Sequence, residues 1–182
     1  MSAQHSTNDW AVLALVAEQP THGWALASTL GRGAEVGSVW AISKPIVYHA
    51  LDRLEHAALI KTAGLERGQR GPHRIMFAVT VRGRRELDSW LAEPVEHVRD
   101  LRSVFLLKVV LSERAGLDPE ALLLAQRATL VPLLGWLEAR LDDDAAEVPG
   151  EATALAFRLE ATSAIVRFID AKLDPCRAVA RA

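Results

Sequence analysis

The segment Ser43–Leu91 constrains this chain more than any other. SKPIVYHALDRLEHAALIKT places a serine where a helix N-cap belongs. It puts a proline in the first helical turn, where the missing N–H does no harm. Val47, Leu51 and Leu54 recur at i, i+4 and i+7, with Ala50 and Ala58 near the same stripe, which predicts a helix over roughly Lys44–Ala58. Leu59–Leu65 and Ile75–Val79 read as two strands, and ERGQRGPHR between them supplies glycines for positive φ. Thr80 caps a further helix, TVRGRRELDSWL, in which Glu86 lies too far along to close a capping box. Helix, strand, basic hairpin, strand, helix is the layout of a winged helix-turn-helix.

The residues before this segment fit two more helices. Asp9 is placed to cap WAVLALVAEQ, which is apolar nearly all round and therefore expected to be buried on most sides. Pro20 ends it. Thr21 then caps a helix through HGWALASTL that offers Trp24, Leu26 and Leu30 to the core, and GRGAEVGS is a glycine-rich loop.

A net charge of −2 looks wrong for a partner of nucleic acid, but it conceals an asymmetry. Residues 1–91 carry 10 Lys/Arg against 8 Asp/Glu, and residues 92–182 carry 11 against 15. Lys61, Arg67, Arg70, Arg74, Arg82, Arg84 and Arg85 stand in one short interval against Glu66 alone. Phosphate contact depends on local charge, so the overall balance does not exclude it. Ser43, Lys44, Tyr48 and His49, at the start of the third helix, are the candidates for base edges; Arg67, Arg70, Arg74 and Arg84 are the candidates for phosphates. Blander roles stand beside these: Tyr48 as a rim aromatic of the core, His49 and the arginines as ordinary solvated groups. Arg82, Arg84 and Arg85 sit in the first turns of their helix, where the dipole disfavours cations; that suits a charge placed for a ligand.

From Pro94 the composition turns acidic and more helical. PVEHVRDLRSVFLLKVVLSERAG carries Val98, Leu101, Phe105 and Val109 at helical spacing, ending at Gly116. Asp118 caps the next helix, in which Pro132 should produce a kink or a break. A last helix over about Ala152–Leu173 shows Leu155, Leu159, Val166, Ile169 and Leu173. The apolar surface exceeds what one thin layer of helices covers, which predicts a twofold homodimer. The expected fold is thus mainly α with a small two-stranded β wing. A winged helix-turn-helix domain is expected over 1–91 and a helical dimerisation and effector-responsive domain over 92–182.

The same residues resemble the PadR family of bacterial transcriptional regulators, in its longer-chain branch. Thr21-His22-Gly23-Trp24 resembles that family's PxHGY, with Trp for the usual Tyr. Val47-Tyr48…Leu51…Arg53-Leu54-Glu55…Leu59-Ile60 resembles its recognition helix and strand entry. Arg74…Phe77…Val79-Thr80…Gly83-Arg84…Leu87…Trp90-Leu91 is similar to its wing and following helix, and Arg102…Phe105-Leu106-Leu107-Lys108 to the opening of its C-terminal domain. The likeness is good over residues 9–115. Ala58 replaces the usual Gly before Leu59, which asks that position to avoid positive φ; Ala57 replaces a frequently charged neighbour. The resemblance implies a homodimer that binds double-stranded DNA at an inverted-repeat operator. It also implies repression relieved by an unknown small effector, aromatic or otherwise hydrophobic, near the junction of the domains. Trp10 and His22 are the effector candidates, although tryptophan at helical spacing is more often core or interface. A winged-helix protein-docking module without specific DNA binding is the rival.

Other chemistry has little foothold. HExxH, CxxC and His-x-His are absent, and His49 and His56, seven apart, make a poor chelate, so neither a metal nor another cofactor is expected. GRGAEVG has the wrong spacing for a dinucleotide loop and no nucleophile elbow appears, so an enzyme is not expected. The polar start MSAQHSTND shows no leader, no apolar run reaches the ~18 residues of a membrane span, and the lone Cys176 cannot form an internal disulfide. A cytoplasmic location is expected.

Overall fold

The helix expected from the apolar run after Asp9 is sealed on all sides. In the computed structural model, which describes residues 5–66, 73–142 and 150–174, α1 spans Thr7–Glu18 and every residue from Ala11 to Ala17 is buried. Its cap is Ser6 rather than Asp9. The Asp9 N–H donates to Ser6 Oγ at 3.3 Å, while the Ser6 N–H donates to the Asp9 carboxylate at 2.9 Å. Asp9 therefore occupies the third position of a reciprocal capping box, one turn further in than the sequence suggested.

Thr21 and His22 also differ from expectation. They form a short strand, β1 (Thr21–His22), and α2 (Gly23–Thr29) is capped by His22, whose Nδ1 accepts the Ala25 N–H at 3.1 Å. The expected two-stranded wing is consequently a three-stranded antiparallel sheet. β3 (Arg74–Val79) lies in the middle, paired with β2 (Ile60–Glu66) through Ile60↔Val79 and with β1 through Thr21↔Phe77. Two extended residues after Pro20 suffice to satisfy the otherwise open edge of β3, a pairing with no signal in local sequence. A bulge between Thr62 and Gly64, with Gly64 at φ 134°, breaks the β2–β3 register near its middle.

α3 spans Lys44–His56 and buries Val47, Ala50, Leu51 and Leu54, the stripe its periodicity indicates. Val47, Leu51 and Leu54 each contribute about 1.5–3 kcal/mol by leaving water, and the Ala50 methyl less. The helix ends two residues early. Ala58 adopts φ 56°, its N–H bonds to the Glu55 carbonyl at 2.9 Å, and the Leu59 N–H bonds to the Leu54 carbonyl at 2.9 Å. That pair of bonds is a Schellman ending, which needs a left-handed residue at this position whatever side chain it bears. The expectation that alanine here excludes positive φ is therefore overturned: the two bonds and the burial of Leu54 and Leu59 outweigh the strain.

α4 (Val81–Ala92) follows. Thr80 caps it by accepting the Gly83 N–H at 3.0 Å, and its hydroxyl faces the Ala58 and Leu59 carbonyls at 2.9 and 3.1 Å. A Cβ on Gly83 would lie 2.0 Å from the Leu59 carbonyl oxygen, so only glycine lets α4 close on the end of α3.

Contacts divide the chain into two units. One takes the described residues up to Ala92 together with Ser103–Leu117; the other takes Glu93–Arg102 and the described residues from Asp118 onward. The sequence reading assigned everything after Leu91 to the C-terminal domain, so α6 (Leu106–Arg114) is where the two partitions differ. Its Leu107 and Leu111 belong to the core built on α1, and Arg114 bonds Glu18 at 2.8 and 2.9 Å and also bonds Glu35. Before it come α5 (Val98–Asp100) and a π-helical turn, Leu101–Phe105.

In the other unit, α7 (Glu120–Asp142) and α8 (Glu151–Leu173) run antiparallel: Arg127 pairs with Asp170 at 2.6 Å near one end, Arg140 with Glu151 at 3.3 Å at the other. α7 continues through Pro132 instead of dividing there. The wholly buried Gln126 grips the Val95 backbone from both sides, at 2.8 and 3.1 Å. Among the described residues no helix is long and apolar enough to cross a membrane.

Ala58→Gly should relieve the strain at the end of α3. Its denaturant midpoint is expected to rise, at unchanged m-value, by the equivalent of about 0.5–1 kcal/mol.

Candidate nucleic-acid interface

The stripe that buries α3 decides what it leaves outside. Ser43, Lys44, Tyr48 and His49 are all exposed around its first two turns. Ser43 is the N-cap residue, yet its hydroxyl makes no capping bond, so it stays available to a ligand. Tyr48 is 42% exposed, against the reading that made it a core aromatic, while one edge of its ring rests on Gly23: a Cβ there would fall 2.8 Å from Tyr48 Cε1. The later turns are different in character. His56 Nδ1 lies 2.7 Å from the Asp52 carbonyl, and Glu55 accepts the Thr62 hydroxyl at 2.8 Å. Cationic and neutral donors thus precede acidic groups along the exposed face.

What fixes the attitude of α3 is a bond to α1. The Arg53 guanidinium embraces the Asp9 carboxylate, with Nε at 3.1 and 3.3 Å from its two oxygens and a second nitrogen at 2.6 Å. Asp9 is 2% exposed. Burial pushes its pKa up, but the bonds from Arg53 and Ser6 together outweigh burial and hold it below the ordinary carboxylate range.

The candidate arginines take separate tasks. Arg74 opens β3 at the root of the wing, 5.3 Å above the Trp24 ring, with one guanidinium nitrogen 3.1 Å from His22 Nε2. Arg84 donates to the Ala17 carbonyl at the C-terminal end of α1, where a cation is favoured, so at least one of its donors serves the fold rather than a phosphate. Arg82 pairs with Glu86 at 2.8 Å along α4. Arg67 and Arg70 lie outside the described residues.

An exposed helix start is the geometry a duplex groove accepts, and residues 12–89 match the Transcriptional regulator PadR-like family. That match covers the N-terminal part of the chain alone. The probable transcriptional regulator Rv1176c of Mycobacterium tuberculosis is 30% identical over 90 residues, 49% of this chain and 46% of its own length, so the chain spans about half of the curated relative it matches. A crystal structure of Bacillus subtilis PadR with operator DNA gives a TM-score of 0.46 at 19% identity, covering 91% of this chain and 97% of that one. Another of the same protein with p-coumaric acid gives 0.43 at 20%, covering 92% and 97%.

The two effector candidates have different surroundings. Trp10 stacks on Trp90 with centroids 5.4 Å apart and planes 10° from parallel; His5 meets its edge, and the Lys108 ammonium lies 4.7 Å from the Trp90 ring. His22 belongs instead to the wing root, with Trp24, Arg74 and Glu66 about it. The sequence reading offered Trp24 to the core, but it is 55% exposed; that reading also passed over Ile46, 39% exposed, and the positioning role of Arg53. A signal for Trp24 existed: two residues before Leu26, it cannot share a face with the Leu26–Leu30 pair. Arg53 had none, because its partner is 44 residues away.

Replacing Asp9 by Asn should remove the charged half of the clamp. Because the folded pKa is depressed, the contribution is fully present above the unfolded value of about 3.9 and is lost as pH falls through the folded one. Urea denaturation should show Asp9→Asn less stable by about 2 kcal/mol at neutral pH, less than a wholly buried pair would lose because Arg53 is half exposed. The gap between the two proteins should narrow as pH drops below about 4.

Proposed function

We propose that this chain is a sequence-specific DNA-binding transcriptional regulator whose third helix enters the major groove. The observation that carries the reading is the exposed start of α3, with Ser43, Lys44, Tyr48 and His49 side by side and clamped from behind by Arg53 on Asp9. Lys44 and Ser43 suit acceptors on base edges and phosphates, and the neighbouring Ile46 suits a thymine methyl. Arg74 serves a phosphate at the wing root, and Arg67, Arg70 and the free donors of Arg84 extend that contact. The family match over residues 12–89 supports the same reading.

The regulator acts as a homodimer on an inverted repeat. In support, α8 has a second apolar seam besides the one facing α7: Ala154, Phe157, Ala161, Ala164, Phe168 and Ala171 recur at three- and four-residue spacing. Phe157 is 74% exposed and Phe168 37%. A heptad-like seam of this kind fits a copy of itself across a twofold axis. Repression relieved by an aromatic effector rests on the resemblance and on the Trp10–Trp90 stack, which offers a flat π surface. Of the two candidates, Trp10 is retained and His22 is assigned to the wing root. A cytoplasmic location accords with this work.

Fluorescence anisotropy at about 0.15 M salt compares the DNA upstream of the protein's own gene with a scrambled duplex. A preference of roughly a thousandfold is expected, reduced in Lys44→Ala and His49→Ala, with affinity falling as salt rises by a log–log slope near −0.9 per phosphate contact. A salt-independent, sequence-blind interaction would instead identify a protein-docking wing. Sedimentation of the Phe157→Glu, Phe168→Glu double variant should show monomers where the parent chain shows dimers, together with weaker operator binding.

A further inference from the structure

His22 is asked for more than an imidazole can give. A neutral ring has a single acceptor nitrogen. Here the Ala25 N–H points at Nδ1 from 3.1 Å, and a guanidinium nitrogen of Arg74, which is always protonated, stands 3.1 Å from Nε2. Whichever tautomer forms, one of the two contacts sets donor against donor. The backbone amide belongs to the first turn of α2 and cannot leave. Arg74 is the partner that gains by finding an acceptor elsewhere, and Glu66 Oε2 lies 3.6 Å from the His22 ring, on a residue more than half exposed. Arg74 stands opposite Glu66 in the β2–β3 register and, with five donors, still has some to offer an anion from outside.

Trp24 shows where that anion would come from. It is 55% exposed, whereas Leu26 in the same helix and Leu30 at its C-cap are 2% and 0% exposed. One face of the indole carries Arg74, and Gly23 beside it is the residue on which Tyr48 rests. Trp24 and Arg74 thus flank the exposed start of α3, and a duplex laid along α3 would pass its sugar–phosphate strand beside them. An exposed indole presents a flat apolar surface for a deoxyribose and an N–H for a phosphate oxygen.

We propose that Trp24 and Arg74 together form a backbone clamp on the DNA strand flanking the recognition helix. Arg74 takes a phosphate, Trp24 packs on the adjoining sugar and holds the guanidinium flat, and His22 positions Arg74 by denying it an internal bond. This inference rests on the DNA-binding reading above and adds a contact from α2, an element outside the recognition helix and wing. The contact is blind to sequence, so a mixed-sequence duplex about two helical turns long is a sufficient probe.

The test is tryptophan emission and affinity measured together at low salt. The difference between the parent chain and Trp24→Phe isolates the Trp24 signal, which should be quenched by the duplex. Trp24→Ala should bind about three- to tenfold more weakly with an unchanged salt slope, and Arg74→Gln should lower the slope by about one. Thermal melting of each variant, expected to match the parent because both side chains lie at the surface, separates lost contact from lost fold. If the parent binds the duplex while the Trp24 signal stays constant and Trp24→Ala binds equally well, the clamp is wrong and the DNA-binding reading stands. If the parent does not bind even at low salt, both fall.

Discussion

The bond between Arg53 and Asp9 is the constraint on which the exposed face depends. It joins the first turn of the most buried helix to the far half of the helix whose start is exposed, so the direction in which Lys44 and Tyr48 point is set at the other end of α3. Asp9 can sustain a charge there only because it is served twice, by the guanidinium and by the Ser6 backbone and hydroxyl. A carboxylate buried with either partner alone would be costly. Local capping chemistry and long-range orientation thus share one side chain.

How much of this was legible in the sequence follows from the range of each interaction. The stripe Val47, Leu51, Leu54 and the turn-rich hairpin state their own geometry, because a helix or hairpin is specified by residues within a few positions. β1 was not legible: Thr21 and His22 look like the approach to a helix, and only β3, more than fifty residues later, makes them a strand. The ending of α3 misled for a related reason. Alanine avoids positive φ when the choice is local, and here two hydrogen bonds and two buried leucines decide instead. Pro132 left a kink and a break both open, and the helix runs on through it without a break, since a helix continuing on both sides tolerates one missing N–H. In the candidate interface the side chains of α3 were legible from what the apolar stripe left over, whereas the wing-root cluster of His22, Trp24 and Arg74 required the sheet.

The arginines divide in an instructive way. A run of like charges in sequence suggests a common purpose, but Arg84 turns inward to a helix end, Arg82 pairs along its own helix, and Arg74 lies over an indole. Charge clustered along a chain is a statement about potential, which the whole group shares. Which guanidinium touches a ligand is a statement about donors, and those are assigned singly by what each one meets at home.

α1 is held at both ends by cations from other helices. Arg53 of α3 grips its beginning; Arg84 of α4 and Arg114 of α6 grip its end. With a wholly apolar middle section, such a helix behaves as an axle whose keys lie only at its tips. Anything that rotates α6 must either strip Arg114 from Glu18 or turn the axle, and turning the axle carries Asp9, and with it Arg53, through the same arc.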